Sequence, residues 1–427
     1  MPGDAKALEA KARAGDVAAQ FELAVVLDRA NRRADATGWL ESAAAGGHTE
    51  ALALLAVNDL QGIEGPRDID RALMRLTTAV ALGGNSARRL LAVMTAIGVR
   101  GAPDWTQAIG LLIDAGKAGD WQAMRELGLL VEMTLPGSPL ADDLLLRAGL
   151  QGDGIAAYAV MRRQTLRGRT LATERVFEQW RAGIARIAHP LVDRISSVVA
   201  SAEATPTRPG PVIEWDRIGE LLSTPPGLDI ATPVAVSDRP FIRRFNALLS
   251  VEECEYLIGL SARFLVPAGV VDKTTGLPKY SQVRTNSIAV FWPPQQDMVV
   301  HAINLRLAVA AGLSAANGEM LNVLMYRPGE EYLAHFDFFP IAIAKADPSG
   351  QRIRTLLVYL NADYDGGETH FITADRKVKG DTGDGVLFSN CDVSGAPDRT
   401  TLHAGLAVTQ GQKWLLSKWY REKPFVA

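Results

Sequence analysis

One pattern of small and apolar residues recurs every 32 to 36 positions in the first third of the chain. Five glycines recur at intervals of 32, 36, 36 and 33 residues: Gly15, Gly47, Gly83, Gly119 and Gly152. Each has an alanine four positions later and an aliphatic residue eight positions later, as in Gly83, Ala87 and Leu91. Positions four apart lie on one face of an α-helix. The pattern predicts stacked helix-turn-helix units, because a single unit of this size cannot bury its apolar face alone.

The helical character continues past the last repeat and then stops. Residues 170–203 carry four apolar side chains at helix spacing: Val176, Trp180, Ile184 and Ile187. Seven prolines follow: Pro206, Pro209, Pro211, Pro225, Pro226, Pro233 and Pro240. Proline at this density excludes regular helix and central strand. The sequence therefore predicts a helical repeat domain over 1–203 and a proline-rich linker over 204–239, interrupted by a short helix around 215–222. An alanine-rich bundle with accidental spacing is the alternative for the first domain.

From about residue 240 the apolar positions occur in short runs instead. Two helices are predicted first, at about 250–261 and 296–313. The later runs lie near residues 321–326, 355–360, 386–388, 401–407 and 414–420. They are apolar or alternating and are separated by Gly, Asp and Pro, which predicts strands of an antiparallel double-sheet barrel, or jelly roll. The predicted fold class is therefore multidomain α plus β: an N-terminal α-solenoid and a C-terminal β-domain over 240–427.

Composition and charge limit the classes of function. The 427 residues are 48% hydrophobic and 22% charged, as in ordinary globular proteins, and suffice for two or three domains. A formal charge of −3, spread along the chain, offers no basic face for nucleic acid. No apolar run reaches the roughly 18 residues of a membrane span. With only Cys254 and Cys391, and no apolar signal-peptide run, we expect a cytoplasmic protein without nucleic-acid or membrane partners.

Three residues near the C-terminus form a candidate metal site. His335 and Asp337 are two positions apart, so an extended segment projects both side chains from the same face. His403 follows 66 positions after the aspartate. Two imidazoles and one carboxylate are the ligand set of non-haem Fe(II) oxygenases, and they leave metal positions open for a co-substrate and O₂.

A lysine lies ten positions beyond His403. The segment 409–412 predicts a hairpin turn, which would bring Lys413 onto the strand next to His403. An ammonium beside the metal suits the far carboxylate of a dicarboxylate co-substrate, because a charge-assisted hydrogen bond is strong in a partly dry pocket.

Several motifs in this region occur in the order of a known family. They are YRPGEEYLAHFD at 326–337, RTLLVYLN at 354–361, GGET at 366–369, HAGLAV at 403–408 and GQKW at 411–414. Residues 238–424 resemble the 2-oxoglutarate- and Fe(II)-dependent oxygenases of the prolyl 4-hydroxylase type, whose fold is a double-stranded β-helix. Residues 5–165 resemble tetratricopeptide-like helical repeats of the Sel type.

The oxygenase resemblance implies a role for each matching residue. It implies three ligands of Fe(II): His335, Asp337 and His403. It makes Lys413 the partner of the distal carboxylate of 2-oxoglutarate, and Tyr326 and Thr355 match hydroxyl-bearing positions of the co-substrate pocket. Trp419 matches a tryptophan near the mouth of the active site. For these last three, packing in the core is the alternative. The implied cofactors are Fe(II), 2-oxoglutarate and O₂, with ascorbate (vitamin C) as an accessory reductant.

Substrate-binding residues are implied by the same resemblance. Arg284, with Thr285 and Asn286, is similar to an Arg-Thr-Ser segment of the family, with Asn in place of Ser, so the target residue stays open. Glu319 matches a position near the peptide groove, and a solvated turn carboxylate is its alternative. Residues 272–280 are polar, contain glycine and are long enough to form a lid.

Three functions remain open at this stage. The first is hydroxylation of a prolyl or other residue in a polypeptide recruited by the repeats, with release of succinate and CO₂. The second is hydroxylation of a free amino acid or small metabolite, with the repeats serving only to form a homodimer or to add stability. The third is a scaffold protein without turnover. The complete ligand set and Lys413 favour an enzyme, and the carboxylate of Asp337 argues against a halogenase.

Overall fold

The chain divides into two compact units. The computed structural model describes residues 2–63, 65–166, 180, 190–191, 210, 212–271, 278–279 and 283–425. The first unit comprises Met1–Ala141, Val212–Thr224 and Pro293–His301. The second comprises Asp142–Pro211, Pro225–Trp292 and Ala302–Ala427.

Ten α-helices of 12 to 14 residues occupy the first part of the chain. They are α1 (Pro2–Arg13), α2 (Val17–Arg29), α3 (Arg33–Ala45), α4 (Thr49–Gln61), α5 (Ile69–Ala81), α6 (Asn85–Ile97), α7 (Trp105–Lys117), α8 (Trp121–Thr134), α9 (Pro139–Leu150) and α10 (Gly154–Leu166). Consecutive helices pack against each other from α1 to α8. Across the described residues, none of the helices combines the length and apolar character needed to cross a bilayer.

The repeated glycines separate consecutive helices, as predicted. All five have positive φ values, 92° at Gly15 and 89° at Gly83 for example, which is the left-handed region where glycine is favoured. The alanine four positions on is buried in every repeat, and at Ala51, Ala87 and Ala123 it is completely buried. The predicted helical repeats are therefore confirmed, since small residues allow neighbouring helices to approach closely.

The described residues 212–239 of the predicted linker contain one helix and one strand. The predicted short helix is α11 (Trp215–Leu221), and its Trp215 ring covers Gly116 of α7, where an added Cβ would lie 2.9 Å from the ring. Strand β1 (Val234–Asp238) begins inside the range 204–239 and forms the edge of the large sheet. The β-domain thus begins before residue 240: Pro233 directly precedes an edge strand, where a missing N–H is tolerated. The predicted helix positions Val176, Ile184 and Ile187 lie outside the described residues.

Sixteen strands are found in the described part of the second unit. They are β1 (Val234–Asp238), β2 (Phe241–Phe245), β3 (Val266–Pro267), β4 (Val270–Val271), β5 (Pro278–Lys279), β6 (Ser287–Phe291), β7 (Leu321–Tyr326), β8 (Tyr332–His335), β9 (Arg352–Tyr359), β10 (Tyr364–Gly366), β11 (Thr369–Phe371), β12 (Arg376–Val378), β13 (Gly385–Ser389), β14 (His403–Gly405), β15 (Val408–Gly411) and β16 (Lys413–Arg421). All five predicted runs contain a strand. The remaining strands are mostly of two to five residues, too short for periodicity to reveal.

Two antiparallel sheets form the body of the β-domain. The larger has the order β1-β2-β13-β9-β16-β7-β6-β3, and the smaller has the order β12-β11-β14-β8. Apolar side chains of both sheets form one buried cluster, which includes Tyr359 and Phe388 of the larger sheet and Phe371 of the smaller. The rings of Phe371 and Phe388 meet edge to face at 5.1 Å. This double-sheet packing confirms the predicted jelly roll.

Three further helices accompany these sheets: α12 (Val251–Ser261), α13 (Met298–Ala311) and α14 (Ile341–Ala346). The predicted serine cap is present at α12, where Ser250 and Glu253 form a reciprocal capping box. Helix α13 corresponds to the second predicted helix.

Candidate metal centre

The smaller sheet brings the predicted triad together. His335 ends β8 and His403 begins the neighbouring strand β14, where the two residues are paired directly across the ladder. Asp337 follows two residues after His335, and one ligand atom of each residue lies within 4.8 Å of the others. The Asp337 carboxylate is 3.7 Å from Nε2 of His335 and 3.8 Å from Nε2 of His403. Three potential ligand atoms thus face one point.

Hydrogen bonds hold both imidazoles in the tautomer that can bind a metal. Nδ1 of His335 donates to the Leu333 carbonyl at 2.8 Å, and Nδ1 of His403 donates to the Thr401 carbonyl at 2.9 Å. Because Nδ1 carries the proton, the lone pair of Nε2 is free for a metal. Two neutral imidazoles and one carboxylate fit Fe(II) by donor type and number.

Lys413 reaches the same region from the larger sheet. It begins β16 opposite Tyr326 of β7, is almost fully buried, and its Nζ donates to the Gly367 carbonyl at 2.7 Å. A cavity of about 40 Å³ connects Lys413, Tyr326 and the three His and Asp side chains. Apolar side chains form part of its wall, among them Leu324, Leu357 and Leu415.

Comparison with known proteins decides the family. The model of the 2OG-Fe(II) oxygenase superfamily matches residues 321–421. Prolyl 4-hydroxylase 1 of Arabidopsis thaliana is 36% identical over 228 residues, which cover 50% of this chain and 79% of that protein. Prolyl 4-hydroxylase 2 of the same plant is 33% identical over 229 residues, covering 48% and 75%.

The chain belongs to the prolyl 4-hydroxylase family of 2OG-Fe(II) oxygenases. This confirms the predicted oxygenase and its cofactor and co-substrates, Fe(II), 2-oxoglutarate and O₂. Two solved structures share shorter regions with it. A viral collagen prolyl hydroxylase of Paramecium Bursaria Chlorella virus-1, in its 2OG complex, is 30% identical, with coverage of 44% of this chain and 98% of that chain and a TM-score of 0.35. A Sel1 repeat protein from Oxalobacter formigenes is 27% identical, with coverage of 28% and 93% and a TM-score of 0.26.

Burial sets the charges of this prolyl 4-hydroxylase-type centre. Burial, with the nearby charge of His403, lowers the pKa of His335 to about 3. Burial alone would raise the pKa of Asp337, but the imidazoles of His403 and His335 outweigh it and hold that pKa below its ordinary value. At neutral pH His335 is therefore neutral and Asp337 ionised, the forms that bind a metal.

Burial shifts the pKa values of the two residues that are predicted to bind the co-substrate, Lys413 and Tyr326. Burial lowers the pKa of Lys413 to about 7, against the opposing effect of Glu368. Burial also raises the pKa of Tyr326 to about 12, so its hydroxyl stays protonated. A dicarboxylate placed here would meet one ammonium and one neutral donor.

The predicted hairpin turn at 409–412 is not what brings Lys413 close to His403. Residues 409–412 do not fold β15 back on β16: β15 pairs with β10, whereas β16 pairs with β7 and β9. His403 and Lys413 therefore lie on different sheets, not on neighbouring strands. Their approach results from the packing of the two sheets, because Gly411, with φ of 77°, redirects the chain between them.

Thr355 lies behind the metal ligands and not in the co-substrate pocket. Its hydroxyl donates to Oδ2 of Asp337 at 2.7 Å and accepts from Nδ2 of Asn390 at 2.9 Å. The resemblance had placed Thr355 on the pocket wall. Because β9 presents Thr355 on the face that meets Asp337, its hydroxyl is used to orient a ligand instead.

Glu319 is not a solvated turn carboxylate. It is buried, and its oxygens accept from Arg352 at 2.6 and 2.7 Å and from Arg421 at 3.0 Å. Burial would raise its pKa, but these two guanidinium groups lower it below the ordinary value. The alternative of a solvated turn carboxylate is thus wrong, because Glu319 belongs to a buried ion cluster. Its place near the peptide groove stays a prediction.

Arg284 and Trp419 border the cavity, as the resemblance implies. The Arg284 guanidinium lies 4.8 Å from the ring centre of Tyr332, and its Nε donates to Asn286. The guanidinium of Arg352 lies 4.0 Å from the Trp419 ring. Of the predicted lid, residues 272–277 and 280 lie outside the described residues, and Pro278–Lys279 pairs with Val270–Val271.

Two residues that contact the site, Tyr332 and Asn390, were not predicted from the sequence. The Tyr332 ring stacks on His335 at 3.5 Å, and Asn390 bonds Thr355. Tyr332 lies in the same motif as His335, so its position could have been noticed. Asn390 carries no local signal, because it follows β13 and meets Thr355 only through the pairing of β13 with β9.

Proposed function

We propose that this protein hydroxylates a prolyl residue of a peptide or protein, coupled to conversion of 2-oxoglutarate to succinate and CO₂. One observation carries the proposal: the side chains of His335, Asp337 and His403 converge on a cavity that the buried Lys413 also borders. The names of the curated relatives, prolyl 4-hydroxylases, support the choice of substrate.

The side chains around the cavity have different roles in the proposed reaction. His335, Asp337 and His403 would hold Fe(II), because two imidazoles and one carboxylate are the donor set of non-haem iron oxygenases. When bound, iron supplies the oxidising chemistry that inserts one oxygen atom of O₂ into a C–H bond. Lys413 binds the distal carboxylate of 2-oxoglutarate, and the Tyr326 hydroxyl adds a neutral donor.

Two unused donors beside the cavity support a polypeptide substrate. Nη2 of Arg284 and Nε1 of Trp419 are buried and have no hydrogen-bond partner among the described residues. Buried donors without partners are unfavourable, and backbone carbonyls of a bound peptide would satisfy them. We propose that both residues contact the peptide that carries the target proline.

Mass spectrometry of candidate peptides tests this function. With Fe(II), 2-oxoglutarate and O₂, we expect a proline of the peptide to gain one oxygen atom while one succinate forms per event. His335→Ala removes a ligand and should abolish both products. His370→Ala is the matched control, because His370 lies on β11 and bonds the exposed Asp375 at 3.2 Å.

Other outcomes select the other hypotheses. Oxygen gain in free amino acids but not in peptides would establish a metabolite hydroxylase. Absence of succinate in every condition would establish a binding scaffold. Full activity of His335→Ala would refute the metal assignment.

A further inference from the structure

The first unit contains a second cavity, of about 180 Å³. Helices α4, α6 and α8 line it together with the segment Pro293–His301. These are the helices that follow three successive repeat glycines: Gly47, Gly83 and Gly119. Leu54 on the cavity wall is 42% exposed, so the cavity is accessible from solvent.

A buried carboxylate oxygen at this cavity lacks a hydrogen bond. Glu126 is completely buried, and its Oε2 accepts from the Met298 amide at 3.1 Å. Within the described residues its Oε1 has no hydrogen-bond partner, and Nη1 of Arg89 is 3.8 Å away. Arg89 itself pairs with Asp120 at 3.0 Å. Such an oxygen is costly to bury, and a ligand donor would satisfy it.

A second carboxylate increases the negative potential. Asp297 also lines the cavity, with Oδ1 accepting from the Val300 amide at 2.9 Å and Oδ2 lying 3.8 Å from Arg125. Burial, followed by the charge of Asp297, raises the pKa of Glu126 to about 8, against the opposing effects of Arg89 and Arg125. A cation beside Glu126 would reverse this, so its binding at neutral pH should release a proton.

The charged and apolar side chains that line the cavity indicate which kind of ligand fits. Three carboxylates (Glu126, Asp297 and Asp120) against two guanidinium groups (Arg89 and Arg125) leave one net negative charge when the acids are ionised, which suits a monovalent cation. Ca²⁺ and Mg²⁺ take six or more oxygen ligands, whereas two carboxylates line this cavity, and those carboxylates would repel an anion. Leu54, Val57 and Leu90 provide an apolar wall of the kind that aliphatic stems of long basic side chains cover.

We propose that this cavity binds a lysine or arginine side chain of a polypeptide partner. The aliphatic stem lies along Leu54, Val57 and Leu90, and the cationic head donates to Oε1 of Glu126. The site belongs to the helical unit and is independent of the proposed prolyl hydroxylation.

Binding of short peptides to the full-length protein tests this site. The probe is a fluorescent peptide of sequence Gly-Ser-Lys-Ser-Gly, which lacks proline, and its partner has norleucine in place of lysine. We expect the lysine peptide to bind at least about tenfold more tightly, because it alone donates to Glu126. Calorimetry in buffers of different ionisation enthalpy should show about one proton released near pH 7.

Three variants make the test specific. Glu126→Gln keeps the shape and should weaken lysine-peptide binding by about tenfold or more and remove the proton release. Glu22→Gln, an equal charge change at an exposed position of α2, should leave both unchanged. Leu54→Lys, also at an exposed position, should block the cavity with its own cation, and it remains informative if Glu126→Gln fails to fold.

Several results would overturn the proposal. They are equal binding of the norleucine peptide, unchanged binding by folded Glu126→Gln or by Leu54→Lys, and preference for an acidic peptide. If n-butylamine binds as tightly as the lysine peptide, the site accepts small amines and the polypeptide assignment is wrong.

Discussion

The hydroxyl of Thr355 orients Asp337, which we propose as an iron ligand. It bonds Asp337 on one side and Asn390 on the other, so the carboxylate cannot rotate freely. Partners of this kind commonly change metal affinity by ten- to a hundredfold when removed. Thr355 is therefore a positioning residue, although it touches neither of the proposed substrates.

Thr355→Val should weaken Fe(II) binding by about tenfold, because valine keeps the shape and removes the hydrogen bond to Asp337. Anaerobic calorimetric titration with Fe(II) measures this. Thr355→Ser retains the hydroxyl and should bind Fe(II) nearly as well as the wild type. Equal affinity of the valine variant would show that the hydrogen bond does not orient Asp337.

We expect Lys413 to make the affinity for 2-oxoglutarate depend on pH. Its pKa of about 7 in the free protein means that the amine becomes neutral as pH rises through that value. Binding of a carboxylate requires the ammonium, so above pH 7 a proton must be taken up first. The affinity should fall by up to about tenfold per pH unit between about pH 7 and 8 and change little below about pH 6.

Lys413→Met should remove this pH dependence and weaken binding of 2-oxoglutarate by about 30-fold, corresponding to about 2 kcal/mol for one charged hydrogen bond. Calorimetry over this pH range provides both values. Lys377→Met, at an exposed position of β12, is the control. A variant with the wild-type pH profile would exclude Lys413 as the carboxylate partner.

At the scale of elements, replacing a repeat glycine and replacing a glycine inside a helix should change the stability of the protein in opposite directions. Gly119 ends a turn with φ of 87°, a conformation that other residues adopt only with strain. Gly110 lies inside α7, is exposed, and has open space where a Cβ would be. The same substitution at these two positions therefore isolates backbone conformation from packing.

Gly119→Ala should destabilise the protein by about 1 kcal/mol, because alanine is strained in the left-handed region. Gly110→Ala should stabilise it by about 0.5 to 1 kcal/mol, because alanine loses less entropy in a helix. Urea unfolding followed by circular dichroism compares the two. Changes of the same sign would contradict the conformational role of the repeat glycine.

At the scale of the whole molecule, a buried ion cluster joins distant parts of the chain. Glu319 binds Arg352 and Arg421, and Arg352 also lies over the ring of Trp419 beside the iron site. The ion cluster therefore lies in the core of the β-domain and also supports the cavity wall, through the contact of Arg352 with Trp419. Removing one partner of a buried ion pair leaves an uncompensated charge.

Glu319→Gln should lower the free energy of unfolding by about 3 kcal/mol at neutral pH, because two buried guanidinium groups lose their carboxylate. Its folded-state pKa is depressed, so this stabilisation exists above the ordinary value and is lost as pH falls. The difference from wild type should therefore narrow below about pH 4. Asp375→Asn, at an exposed ion pair, should change stability by less than about 0.5 kcal/mol.

The sequence by itself determined the elements with local signatures. Glycine and alanine spacing identified the repeats, and the two-residue spacing of His335 and Asp337 identified a shared strand face. Motif order around His403 and Lys413 indicated the oxygenase family. These features depend on neighbouring residues, and helix and strand periodicity reports local geometry directly.

Only the tertiary structure decided which distant side chains meet. Thr355 and Asn390, 35 positions apart, are joined by the pairing of β13 with β9. Lys413 meets the iron ligands because two sheets pack face to face, and Glu319 is buried because two arginines surround it. The carboxylate of Glu126 acquires its cavity in the same way. Strand pairing and packing bring together residues whose separation along the chain carries no periodic signal. For that reason the resemblance misplaced Thr355, and the local pattern misplaced the turn before Lys413.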